Sequence, residues 1–445
     1  MNIPKVESLV VNQDLCTGCG TCVTQCETGS IMMDWNTDGF RVPVLSGDCT
    51  EASNCIKVCP FSPIQISKFK SEDELATLHL TEATKYNDDI GRYNDMFVGY
   101  SKEFRTSSSS GGMATYFFQE LFELDLVDQI IVVTYNEDSS AFYKYSIISS
   151  LSDLTTSSKT RYYPVSLDEA LNEIKHSDTR IAIVGVGCFL KSIRLLQSQD
   201  ASFSQRIKFL IGIICGGLKS KYYTDFLAKN TLLHQQNYSE PEYRLKDHNS
   251  QASDYYFSAK FDGNEEKLRM RTLGDMWGTG YFKASACDFC EDVASELADV
   301  SLGDAWLNPF VQDGKGTSIV VSRSKVASDI LKEGISTEKL VLDHLSEEQF
   351  LLSQRGSYNH RHAGLKYRLD RRMKNGARMP YKRERNLKNI SFTFKMVQYF
   401  REQTRRSSIE LWKNNPYPNH HSQSMRKHLL MLRIATKINH LTRKV

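Results

Sequence analysis

Seven cysteines crowd the first 59 residues, at positions 16, 19, 22, 26, 49, 55 and 59, and four more stand at 188, 215, 287 and 290. The N-terminus, Met1-Asn2-Ile3-Pro4-Lys5, carries no apolar leader core. A cytoplasmic setting is therefore expected, and there a reducing pool makes disulfides a poor account of eleven thiols. Metal ligation or catalysis is the better expectation.

Cys16, Cys19, Cys22 and Cys26 read C-x2-C-x2-C-x3-C. Two-residue gaps let one loop wrap three thiolates around a face of an iron–sulfur cubane, while the fourth cysteine reaches a second cluster. This is the run of bacterial ferredoxins. A second run holds Cys49, Cys55 and Cys59, with Ala52 where the same template needs another cysteine. Crossing over assigns one 4Fe-4S cluster to Cys16, Cys19, Cys22 and Cys59. Cys26, Cys49 and Cys55 remain for a second centre, either a 3Fe-4S cluster, a 4Fe-4S cluster with an oxygen ligand such as Asp48 or Glu51, or none. Zinc is the competing metal, since C-x2-C pairs also build zinc ribbons.

A length of 445 residues predicts two to four domains, and 40 % apolar with 24 % charged residues is ordinary for a soluble globular chain. Apolar runs such as Ile181–Gly187 and Phe209–Cys215 fall far short of the ~20 residues of a spanning helix. The net charge of +3 conceals an asymmetry: residues 351–445 carry 23 Lys/Arg against 4 Asp/Glu, so the remainder is acidic.

Segment 64–95 is polar and reads as a linker with one short helix. Thr106-Ser107-Ser108-Ser109-Ser110-Gly111-Gly112 then precedes an apolar, helically spaced run from Met113. Such a turn is either a phosphate cradle with free N–H groups or a plain helix cap. Asp128–Tyr135 reads as a strand and Asp168–His176 as a helix. Arg180–Cys188 and Phe209–Gly217 read as continuously apolar strands, buried on both faces of a parallel sheet, with helices Leu190–Gln197 and Tyr222–Ala228 following. Cys188 and Cys215 thus stand at carboxyl ends of strands, the edge where open α/β sheets bind ligands. Cys287 and Cys290, in C-D-F-C, need a partner pair, and these two are the ones left. Four thiolates would hold a further 4Fe-4S cluster. A four-cysteine zinc site, or burial of Cys188 and Cys215 as small hydrophobes, competes with it.

Taken in order, the cysteine-rich module, S-S-G-G at 109–112, S-K at 158–159, G-x-G-C at 185–188, C-G-G at 215–217, C-D-F-C at 287–290 and A-D-V-S-L-G-D-A-W at 298–306 resemble the coenzyme F420 hydrogenase/dehydrogenase beta-subunit family. The resemblance spans about residues 10–330. It implies one FAD, a 4Fe-4S cluster on Cys188, Cys215, Cys287 and Cys290, and ferredoxin-type clusters in front. It further implies a flavin-contacting turn at Ser110, Gly111 and Gly112, a catalytic, flavin-binding lysine at Lys159, and a flavin-side turn at Gly303 and Asp304. The chain departs from the family pattern at Gly187 (for proline), Phe189 (for glutamine), Gly216 (for histidine), and Thr160 and Arg161.

The fold expected is an α/β body with a mostly parallel or mixed sheet, preceded by a small α+β ferredoxin-like domain and followed by a basic helical tail. The divisions are 1–68 for the module, 90–175 and 176–345 for the two parts of the body, and 346–445 for the tail. Met425–Leu441 reads as a basic amphipathic helix whose stripe is Leu430, Ile434, Ile438 and Leu441, with Arg426, Lys427, Arg433 and Lys437 off it. Such a tail can rest on the inner membrane surface, on a partner or on the acidic body, or pack within its own domain. Nucleic acid is not expected, for want of base-stacking or groove-reading motifs. The function expected is an iron–sulfur flavoprotein oxidoreductase taking electrons from ferredoxin or a deazaflavin to a small organic or sugar-linked substrate. A non-catalytic electron-transfer subunit and a zinc-stabilised binding protein are the alternatives.

Overall fold

The computed structural model describes residues 5–49, 53–64, 69, 71–137, 141–153, 159–231 and 237–442. Glu51, Ala52, Ser157 and Ser158 lie outside these. The N-terminal module is built from short pieces: α1 (Lys5–Leu9), α2 (Thr21–Thr24), the hairpin β1 (Ile31–Trp35) and β2 (Arg41–Leu45), and α3 (Asn54–Lys57). Its loops run cysteine to cysteine, which leaves room for only one-turn helices.

The segment after it is more than a linker. Ser71 and Glu74 form a capping box that starts α4 (Glu72–His79). Leu75 and Ala76 of that helix are buried against the body, and Glu72 meets Lys191 at 3.0 Å. A small hairpin, β3 (Lys85–Asn87) and β4 (Gly91–Tyr93), follows.

The body is one eight-stranded mixed sheet. Its first segment supplies β5 (Asp95–Ser101), then α5 (Met113–Glu123), β6 (Gln129–Tyr135), β7 (Tyr143–Ile148) and α6 (Asp168–Ile174). The next supplies β8 (Ile181–Val186), α7 (Gly187–Gln199), α8 (Ala201–Arg206), β9 (Ile207–Ile213) and α9 (Lys221–Lys229). A separate antiparallel sheet of β10 (Ser239–Leu245), β11 (Tyr256–Phe261) and β12 (Asn264–Arg269) is inserted before β13 (Val300–Asp304), β14 (Ser318–Ser322), α10 (Lys325–Ser336) and β15 (Leu340–His344). The strand order is β15-β5-β14-β13-β9-β8-β6-β7, with β13, β9, β8 and β6 parallel and the flanking pairs antiparallel. The two halves of the body expected from the sequence therefore share a single sheet.

Both faces of its centre are covered. Ile181, Ile183 and Leu210 pack with Leu190, Ile193 and Leu196 of α7. Ala182, Phe209 and Ile211 point the other way, onto Met113, Phe117 and Leu121 of α5 and Ile330 and Leu331 of α10. That two-residue alternation between two apolar layers explains why β8 and β9 contain no polar partner positions.

The C-terminal region is integrated into this body. It comprises α11 (Glu347–Ser353), α12 (Arg355–Tyr358), a π-type turn at Asn359–Ala363, α13 (Leu365–Met373), and the antiparallel pair α14 (Phe392–Asn414) and α15 (Pro418–Thr442). Arg383 meets Glu296 through both amino groups at 2.7 and 2.9 Å, and Arg385 pairs with Asp73. Of the settings open to the basic region, docking on the acidic body is thus realised over 355–405. The helix expected near Met425–Leu441 exists, but its leucine–isoleucine stripe faces outward: Leu430 and Leu441 are 56 % and 61 % exposed. Met425, Leu432, Ala435 and Asn439 are among its buried side chains.

Candidate functional site

Strands β8 and β9 are in register at Val186 and Ile213. Immediately beyond them stand Cys188, in the first turn of α7, and Cys215. A tight turn at Ser285–Phe289 brings Cys287 and Cys290 to the same place. The amides of Gly217 and Leu218 donate to the sulfurs of Cys215 and Cys287, each at 3.2 Å. Burial, with Cys290, Cys287 and Cys215 as electrostatic neighbours, pushes the Cys188 thiol well up. The four late cysteines are therefore one group.

The early thiols divide into two groups. Burial and the neighbours Cys19, Cys16 and Cys59 push Cys22 well up, and Cys59 responds to Cys19 and Cys16 likewise. Cys55 is raised by burial and has Cys49 and Cys26 beside it. Burial opposes ionisation of Cys26, yet hydrogen bonds from Ser30 and Thr28 hold its thiol below the ordinary value. The module is seated directly over the late group. Cys16, Cys22, Cys26, Cys55, Cys59, Cys188 and Cys290 all border one apolar cluster that includes Ile56, Phe289 and Leu365. Among the described residues no three His, Cys, Asp or Glu side chains close on a single ion.

The C-terminal region reaches the late group as well. Arg361, 4 % exposed, points its guanidinium at Cys290 Sγ (3.7 Å) and donates to the carbonyls of Cys215 and Asp292. Lys283 binds Asp288 at 2.6 Å, beside Cys287. A run of arginines in a sequence signals a solvated surface, so nothing in the sequence pointed to Arg361.

Next to the cysteines opens a cavity of about 1080 Å³. Ser110, Gly112, Lys159, Gly303 and Asp304 line it, as do Cys215 and Gly216. Thr17 and Gly18, from the first cysteine loop of the module, complete its wall. Gly112 caps α5 with φ +79°, and a Cβ there would lie 2.5 Å from the Phe104 carbonyl carbon. Gly111 admits no Cβ either, because Gly99 O would be 2.6 Å away; its amide donates to Ser318 Oγ (3.0 Å). The turn therefore brings bare backbone to the cavity at a helix N-terminus. Lys159 is part-buried and paired with Glu242 at 3.3 Å, and the neighbouring Thr160 amide donates to Ser109 Oγ (3.0 Å).

Sequence reasoning missed two cations and an indole around this turn. Arg244 grips Asp304 with two bonds of 2.5 and 2.7 Å. Burial disfavours the charge on Asp304, but Arg244 wins and holds its carboxyl below the usual range. Lys246 donates to the carbonyls of Arg105 and Ser110, and burial together with Arg244 and Arg105 brings its ammonium down to about 7. Arg244 has φ +56° in β10, whose register against β11 is irregular. That bulge turns Arg244 inward, and no residue in the strand announces it. Trp277 packs over Gly216, filling the space a larger residue there would take: a Cβ would lie 3.0 Å from its ring.

The cavity fits an anionic cofactor with an aromatic part. Ser108 Oγ, Thr115 Oγ1 and Arg244 Nε belong to residues lining it, and these atoms are buried without hydrogen-bond partners, which ligand oxygens would satisfy. Val132, Val184, Ile213 and Leu302 supply an apolar wall. Its size suits a dinucleotide-sized ligand.

Comparison with known proteins agrees with the geometry. Two family models for the coenzyme F420 hydrogenase/dehydrogenase beta subunit match the chain, the N-terminal one over residues 96–172 and the C-terminal one over 178–348. Together they take in more than half of the chain. A 4Fe-4S dicluster domain model matches 15–62. Coenzyme F420-dependent sulfite reductase of Methanocaldococcus jannaschii is 23 % identical over 355 residues, covering 74 % of this chain and 48 % of that protein. The chain thus spans about half the length of that relative. The F-type subunit of the F(420)H(2) dehydrogenase of Methanosarcina mazei is 22 % identical over 331 residues, covering 69 % of this chain and 82 % of that one. Among solved structures, a chain of the F420-reducing NiFe hydrogenase complex from Methanosarcina barkeri is 18 % identical with a TM-score of 0.48, over 66 % of this chain and 94 % of that one.

Proposed function

Because the chain belongs to the coenzyme F420 hydrogenase/dehydrogenase beta-subunit family, we propose that it is an iron–sulfur flavoprotein that carries electrons between its cysteine-held clusters and an FAD in the large cavity, for the oxidation or reduction of an organic, sugar-linked substrate. Ferredoxin or a deazaflavin is the external redox partner in this reading. One observation carries it: the late cysteines, the first cysteine loop of the module and the serine–glycine turn all meet at a single cavity.

Cys16, Cys19, Cys22 and Cys59 would hold one 4Fe-4S cluster and Cys188, Cys215, Cys287 and Cys290 another. Cys26, Cys49 and Cys55 offer three thiolates to a third centre. When bound, the flavin exchanges single electrons with clusters and two electrons, as hydride, with substrate. Ser108–Ser110, the amides opening α5 and Arg244 receive its phosphates. Lys159, held by Glu242 at the cavity wall, sets positive charge where reduction would add negative charge. Asp304 keeps Arg244 charged and fixed in direction.

The deciding experiment is anaerobic isolation with iron, sulfide and flavin quantitation. About seven to eight irons are expected in the module and about four in the body, with one flavin. Cys287→Ser should lose the body's share and leave the module's. A variant with undiminished iron, or a wild-type protein with zinc and no flavin, overturns the reading. A second reading, a protein that only relays electrons to another enzyme, is favoured by the sulfite reductase relative being about twice as long. Turnover of substrate by the isolated chain with artificial donors separates the two.

A further inference from the structure

Most cations of the C-terminal region are consumed by the body. Arg361, Arg368, Arg383, Arg385 and Arg405 all bond to carboxylates or carbonyls of residues before 300. Helix α15 is different. Residues 411–442 contain no Asp or Glu at all. Its Arg426, Lys427, Arg433 and Lys437 are exposed, and none of them is in an ion pair among the described residues.

These cations accompany an apolar row. Leu430, Met431, Ile434, Ile438 and Leu441 are between 36 % and 61 % exposed. Spacings of three and four residues put 430, 434, 438 and 441 on one stripe of the helix, opposite 425, 432 and 439, which are buried. Arg426, Arg433 and Lys437 border that stripe along one side. At the far end of the α14–α15 pair, Thr393 Oγ1 lies 3.2 Å from Thr442 Oγ1, so Phe392, 76 % exposed, adds an aromatic side chain near Leu441. The opposite face is fixed to α14 through Phe394, Val397, Leu432 and Ala435. The outward face is therefore presented as a rigid unit.

We propose that this face seats the protein on the surface of an anionic phospholipid bilayer. Leu430, Ile434, Ile438 and Leu441 enter the boundary between headgroups and acyl chains, and Arg426, Lys427, Arg433 and Lys437 meet lipid phosphates. Aliphatic stripes bordered by unpaired cations are what an interfacial helix uses. The row lacks the hydrogen-bonding aromatic anchors that specify a protein partner. A second copy is disfavoured because a two-fold pairing of this face would bring cations onto cations with no acid between them. No helix among the described residues is long and apolar enough to cross a membrane, so the attachment is to the surface.

The test is flotation of the full-length protein with vesicles, which needs neither clusters nor flavin and so succeeds or fails independently of the redox reading. Phosphatidylglycerol-containing vesicles should carry the protein, and pure phosphatidylcholine or high salt should reduce the bound fraction about tenfold. The Ile434→Asp/Ile438→Asp variant, changed only at exposed positions, should lose flotation with an unchanged far-UV circular dichroism spectrum. Arg433→Glu/Lys437→Glu should do the same. Equal binding to neutral vesicles, no binding, or flotation undiminished in the aspartate variant overturns the proposal. So does a concentration-dependent dimer that the aspartate variant abolishes, which would assign the face to a second copy.

Discussion

Arg361 is the residue on which the body and its C-terminal extension meet most closely. Its charge is buried a few ångströms from Cys290, and the sulfurs and Asp292 beside it keep it protonated. Next to a cluster of net negative charge, such a cation favours the more reduced state. Arg361→Met should therefore lower the midpoint potential of the body cluster, and Arg361→Lys should restore part of it. A redox titration followed by electron paramagnetic resonance reads this, with the module's clusters as an internal reference. His79 gives a second residue-level expectation. Burial and the charge of Arg194 hold its imidazole down to about 4, whereas an unfolded histidine titrates near ~6.5. Between those values the unfolded chain binds more protons, so stability is full above about 6.5 and declines as pH falls toward 4. Discounted for partial exposure, the loss is roughly 1–2 kcal/mol. The difference in urea midpoint between pH 7 and pH 4.5 should shrink in His79→Gln.

At the scale of elements, the α14–α15 pair shows what holds the C-terminal region in place. Trp412 is 1 % exposed, donates to Asp225 at 2.9 Å, and packs edge-on against Phe226 and Phe282. Trp412→Ala should cost about 3–5 kcal/mol, seen as a lower denaturation midpoint with the cavity's ligand binding retained. The same pair marks how far the sequence could be read. Strands β8 and β9 were plain because both faces are buried, so their central positions are all apolar. Helix α15 was legible as a helix and misleading as a face. Its buried side chains include Ala435 and Asn439, and its most apolar row points outward, so hydrophobicity alone selects the wrong side. Helix α7 begins at Gly187, three residues before the start expected, because Gly187 and Cys188 already have helical backbone at the strand's end. The cysteine groups and the serine–glycine turn were legible because ligand spacing and turn chemistry are local. Arg244, Arg361 and Trp277 were not, since a strand bulge and contacts tens to hundreds of residues apart bring them to the site.

For the whole molecule, an acidic body and a basic extension form one electrostatic unit. The contacts at Arg383, Glu296 and Glu291 are nearly inaccessible to solvent, so salt screens them little. Removing residues 347–445 would leave Glu291, Glu296 and Asp288 short of the cations that now face them, a several-kcal/mol penalty for each carboxylate that stays buried. The truncated chain should accumulate as insoluble protein, whereas the full chain should keep its denaturation midpoint between low and molar salt. Expression and salt-dependent melting check both statements.

The cysteine-rich module is equally inseparable from its neighbour. Leu167 N donates to Cys19 O at 2.9 Å, Thr21 Oγ1 meets Ser192 Oγ at 2.7 Å, and Thr17 and Gly18 are themselves part of the cavity wall. Transplanting a foreign ferredoxin onto this chain would therefore breach the chamber as well as change the wiring. Donor end and reaction vessel can only diversify in step, as lock and door cut from one plank.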